Sequence, residues 1–115
     1  MKRLCLAAFN GEPMCFAHVL LNALDFQAKG CEVTVAIEGT ACKQVEEMAA
    51  DSNPFHGLWE QVKEKGLVSG VCRACAQKMG SLESAREQGL TILDGMKGHL
   101  PLEKYVNEGY EVLTF

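Results

Sequence analysis

Five short apolar runs recur along the chain, at residues 2–9, 32–37, 67–71, 90–93 and 110–115, each followed or preceded by a segment long enough for a helix. That alternation restricts the fold more than any other feature. Consecutive strands separated by helices need crossover connections, and crossovers produce parallel strands covered on both faces. The runs are rich in Val, Ile, Leu and Ala; the first closes on Asn10-Gly11 and the fourth on Asp94-Gly95, while Gly66 and Gly89 end the helices before the third and fourth. The expected architecture is α/β: one three-layer α/β/α domain over residues 1–115, built on a five-stranded, mainly parallel sheet.

The helices are legible from their boundaries. Pro13 suits a first turn and Gly30 an end, which predicts a long helix over 13–29. Met14, Ala17, His18, Leu21, Leu24, Asp25 and Ala28 fall at steps of three and four along it, with Leu20, Ala23 and Phe26 widening the stripe. A shorter helix is expected over 41–50. Asn53-Pro54 predicts a cap and a first helical residue for a helix reaching Lys65. Further helices are expected from Cys72 to Met79, over 82–88 and over 101–108.

Several classes of function are excluded by composition. With 115 residues and 48% hydrophobic content, the chain can bury roughly two-thirds of its unfolded surface. A net charge of −4 is too small, and the apolar content too high, for a disordered chain. Fifteen acidic against eleven basic residues leave no electrostatic footprint for nucleic acid. No apolar run approaches the roughly 18 residues of a membrane span. Met1-Lys2-Arg3 and the apolar residues after it suggest a leader, but Asn10-Gly11-Glu12 cuts that run short. A cytoplasmic protein is expected.

Six cysteines, Cys5, Cys15, Cys31, Cys42, Cys72 and Cys75, raise the question of a disulfide framework. A largely apolar chain with no secretory mark does not need one, and reduced cysteine packs as a small hydrophobe. Cys5, Cys15 and Cys31 read as packing, and Cys42 follows the second strand closely enough to approach the sheet's end. Cys72 and Cys75 differ. They form a Cys-x-x-Cys at a strand-to-helix junction, where helix N–H groups favour thiolate and positions three apart share a face. Arg73 adds a positive neighbour.

Ligand sites in open parallel sheets lie at the carboxyl ends of the strands. The loops 10–12, 70–75 and 94–98 qualify, and Asn10, Gly11 and Arg73 are expected to line a small pocket there. A zinc site would need four ligands, and beyond one Cys-x-x-Cys it would have to draw on His56, Cys42 or His18 from distant segments. No metal and no cofactor are therefore assigned. His99 stands alone in a loop, and no phosphate-binding glycine pattern is present.

With the strand–Cys–helix unit placed, the chain resembles the DsrE/DsrF-like family over essentially its whole length. The likeness rests on the Leu-x-Leu-Ala-Ala-Phe-Asn-Gly strand and turn, the long helix after it, and Val-Cys-Arg-Ala-Cys-Ala-Gln-Lys-Met-Gly at Val71 to Gly80. It implies that Cys72 falls on the sulfur-carrying position of the sulfur-relay members. Lys78 and Gly80 then fall on the basic–glycine end of the motif. It also implies a trimer or hexamer of small subunits. Cys75 is an added thiol, and Met79 interrupts the basic pair. The expected function is a sulfur carrier that holds a persulfide on Cys72 and exchanges it with donor and acceptor proteins. The alternative is an oligomeric metal- or small-ligand-binding or thiol-redox module using Cys72 and Cys75.

Overall fold

The β-branched and apolar runs form five strands in a computed structural model that describes residues 2–115; Met1 of the basic opening lies outside them. In chain order the elements are β1 (Arg3–Ala8), α1 (Pro13–Ala28), β2 (Glu32–Ile37), α2 (Lys43–Glu47), α3 (His56–Glu64), β3 (Val68–Cys72), α4 (Arg73–Met79), α5 (Leu82–Glu87), β4 (Ile92–Leu93), α6 (Glu103–Asn107) and β5 (Glu111–Thr114). The strand order is β4-β3-β2-β1-β5 and every pairing is parallel. The architecture is three-layer α/β/α, and the sheet is wholly rather than mainly parallel.

Burial follows from this topology. Leu4 to Ala8 of β1 and Val33 to Ile37 of β2 are all buried, as strands covered on both faces must be. Trp59 of α3 packs on Phe16 of α1 with ring centroids 5.8 Å apart. Its indole N–H donates to Gln88 Oε1 at 2.9 Å, and the Gln88 amide nitrogen donates to the Val45 carbonyl at 2.9 Å. One half-buried amide thus ties α2, α3 and the end of α5 together.

Three local expectations are corrected. α1 buries Phe16, Ala17, Val19, Leu20 and Ala23, leaving Met14 and Leu21 about half exposed at 55% and 49% and Cys15 on the surface. The helix is apolar nearly all round, so its periodicity did not single out the core face; packing against Trp59 did. Pro54 is not helical. Asn53 Oδ1 accepts the Phe55 N–H at 2.8 Å in an Asx turn, which delays α3 to His56. The segment 41–50 is divided: a 3₁₀ turn at Gly39–Cys42 leads into α2, which ends at Glu47.

β1 lies between β2 and β5, so the winding reverses at the β1–β5 boundary. β3 and β4 lie on the other side of β2. Their carboxyl ends carry the segments around Cys72 and the loop after Leu93.

Candidate functional site

Cys72 is the last residue of β3 and the N-cap of α4, with extended backbone at φ −66°, ψ 120°. The strand therefore delivers its sulfur to the sheet's carboxyl edge, where it is buried at 1% exposure. Cys75 follows one helical turn later and is half-buried. All six cysteines are free thiols.

The third member comes from the segment after β4. Lys97 and Gly98 have φ of +52° and +92°, and Met96 and His99 exchange backbone hydrogen bonds of 3.0 and 2.9 Å. Two central residues with positive φ make the tight turn of a two-residue hairpin, in which glycine is favoured. The Gly98 carbonyl accepts the Ala74 N–H at 2.9 Å, which seats the hairpin on the first turn of α4. His99 Nδ1 then lies 3.4 Å from Cys72 Sγ and 3.7 Å from Cys75 Sγ. The next residue, Leu100, donates its backbone N–H to Cys72 Sγ at 3.3 Å.

The donor that reaches Cys72 is thus not the one expected from the helix N-terminus. α4 has seven residues, and the hairpin occupies one of its first-turn N–H groups. Leu100 supplies the hydrogen bond instead. His99 Nδ1 is within reach of either thiol proton.

The surroundings differentiate the neighbouring groups. Burial, followed by the hydrogen bond with Cys72, pushes the Cys75 thiol up. Burial also raises the Glu38 carboxyl at the end of β2. Cys42 is buried behind the pair, its Sγ 3.7 Å from the Ile37 carbonyl and 4.0 Å from that of Cys72, and burial pushes its thiol up strongly. Cys42 is therefore a packed thiol against the site's floor.

Of the residues singled out in the sequence, Cys72 and Cys75 are brought together. Asn10, Gly11 and Arg73 lie elsewhere. Asn10 lines a shallow apolar hollow with Met14, Cys15, His18 and Phe115, at the carboxyl ends of β1 and β5. Gly11 is buried, its N–H donating to Thr40 Oγ1 at 2.9 Å and its carbonyl accepting Gln44 Nε2 at 2.8 Å. Arg73 is exposed and lines a depression between α4 and α5. Lys78 instead shares the groove of Cys75 with Phe9, Gly39, Thr40 and Met79. His99 was missed as a partner because it is distant in sequence. The available signal was Lys97-Gly98, a two-residue turn at the carboxyl end of a strand.

A family model for the DsrE/DsrF-like family matches residues 10–115. The chain belongs to the DsrE/DsrF-like family. An uncharacterised protein of Methanocaldococcus jannaschii is 30% identical over 96 residues, covering 84% of this chain and 76% of the archaeal one. An uncharacterised protein of Archaeoglobus fulgidus is 43% identical over 37 residues, 32% of this chain and 100% of that one. Among solved structures, a conserved protein of unknown function from Bacteroides thetaiotaomicron aligns with TM-score 0.72 and 16% identity. That match covers 99% of this chain and 95% of that one. At that identity it establishes that this DsrE/DsrF-like chain shares the fold. No helix among the described residues is long and apolar enough to cross a membrane.

Proposed function

We propose that this DsrE/DsrF-like chain is a cytoplasmic sulfur carrier, working as a homo-oligomer (a trimer or hexamer) between donor and acceptor proteins. The observation that supports it best is the environment of Cys72 Sγ, which takes the Leu100 N–H at 3.3 Å and faces His99 Nδ1 at 3.4 Å, with a second thiol one turn away. The resemblance of Val71 to Gly80 to the motif of the sulfur-relay members supports the same choice of residue.

In the proposed cycle His99 Nδ1 takes the Cys72 proton. The thiolate attacks the terminal sulfur of a donor persulfide; the donor's S–S bond breaks and the donor leaves as a thiolate. Cys72 then carries the sulfur as a persulfide. An acceptor thiolate can remove it by attacking the outer sulfur, which returns Cys72 as thiolate. Alternatively, the Cys75 thiolate attacks the inner sulfur, forms a Cys72–Cys75 disulfide and releases hydrosulfide. An external dithiol then reduces that disulfide and is itself oxidised. These are thiol–disulfide exchange steps.

Intact-mass measurement on reduced, chelator-treated protein exposed to inorganic polysulfide tests this reading. The wild type is expected to gain the mass of one sulfur atom and Cys72→Ser none, while Cys75→Ser retains its sulfur longer. No gain by the wild type, or an equal gain by Cys72→Ser, overturns it.

A further inference from the structure

The sequence offers a single Cys-x-x-Cys, which by itself is half of a metal site. The hairpin changes this by adding an imidazole. The Sγ atoms of Cys72 and Cys75 and a ring nitrogen of His99 all lie within 4.8 Å of one another. Zinc binds sulfur at about 2.3 Å and imidazole nitrogen at about 2.0–2.1 Å, so a tetrahedral ion sets sulfur and nitrogen about 3.6 Å apart. The two sulfur-to-nitrogen distances here are 3.4 and 3.7 Å. Each sulfur is therefore already spaced from the nitrogen as a neighbouring corner of one tetrahedron.

We infer that Cys72, Cys75 and His99 form a three-ligand site for a thiophilic divalent cation, zinc, with a fourth position left for an external ligand. Two thiolates and one imidazole are a donor set that zinc takes in sites keeping an open position. Each ligand is held by a different backbone feature: the end of β3, the first turn of α4 and the hairpin turn seated on Ala74. The Leu100 N–H to Cys72 Sγ neutralises part of the charge that a metal-bound thiolate retains. His99 is exposed and Cys75 half-buried, which gives the ion a way in and an external ligand a way to the fourth position.

This inference does not rest on the sulfur-carrier reading. The two make separate demands on the same thiols, because a Cys72 sulfur bound to zinc is not free to attack a persulfide.

Competition between the anaerobically reduced full chain and a chromophoric chelator for zinc, with cobalt(II) as a spectroscopic stand-in, tests the site. The wild type is expected to take up one zinc per chain and to show cobalt–thiolate charge-transfer absorption. His99→Ala lies in an exposed turn, and its affinity should fall at least tenfold. Cys72→Ser and Cys75→Ser should each reduce the charge-transfer band, and a Cys15→Ser/Cys31→Ser double variant should match the wild type. No stoichiometric zinc uptake, or unchanged affinity in His99→Ala, overturns the site. Polysulfide loading of the chelator-treated protein is read separately, so loss of one property leaves the other standing or failing by its own measurement.

Discussion

At Gly11 the requirement for glycine is steric. A Cβ there would collide with the Thr40 carbonyl oxygen and come within 2.7 Å of its carbon. Those are backbone atoms, so relief means moving the turn that leads into α2. Gly11→Ala should destabilise the protein by about 1–3 kcal/mol, the usual range for overpacking. Gly57 supplies the contrast: it lies in α3, and a Cβ there meets nothing within 4 Å. Gly57→Ala should stabilise by about 0.4–1 kcal/mol. Urea unfolding of both variants checks the opposite signs; equal effects would mean that Gly11 is not set by close approach. The same residue shows what the sequence could convey. Asn10-Gly11 was legible as a turn at the end of a strand. Whether Gly11 faces a pocket or Thr40 was not, because Thr40 is 29 positions away. His99 is a similar case, a lone loop histidine until Gly98 seats its turn on Ala74.

The strands were the legible elements, since each is an apolar run with a turn residue on at least one side, and β2 occupies the expected Glu32–Ile37. Helix starts were less legible where two local signals competed, as at Asn53-Pro54, where the Asx turn prevails. The hairpin over residues 94–99 was invisible as an element because its main contacts are to α4. It also covers Cys72, which makes its stability measurable through that thiol. Gly98 at φ +92° suits glycine, and alanine there should cost on the order of 1–2 kcal/mol. If opening of the hairpin limits access, that cost raises the open population roughly 5–30-fold. Alkylation of Cys72 by iodoacetamide in Gly98→Ala should accelerate by the same factor, while half-buried Cys75 changes little. Lys97→Asn, a residue better suited to positive φ, should slow it. Equal Cys72 rates in all three proteins would show that the hairpin is not the cover.

Across the whole molecule, the parallel sheet encloses two thiols that behave as small apolar groups. Cys5, at the centre of β1, is fully buried, and burial pushes its thiol up to about 12. Cys42 beneath the site is pushed up by the same cause. Their burial ties folding stability to pH. In the unfolded chain a cysteine gives up its proton near pH 8.5. The folded state keeps both protons well above that, so from there upward the unfolded state binds fewer protons and gains on the folded one. Stability is therefore fully present below about pH 8.5 and is lost as pH rises toward the folded values. Each thiol contributes a slope of about 1.4 kcal/mol per pH unit in that window. Unfolding free energies of the reduced protein between pH 9 and 10.5 should fall at about twice that slope from these two thiols. Cys5→Ala leaves a small cavity, which lowers the whole curve, but it also removes one titrating group. The slope in Cys5→Ala should then be shallower than in the wild type by about 1.4 kcal/mol per pH unit. A parallel downward shift with no change in slope would show that the buried Cys5 thiol is not what couples this fold to alkaline pH.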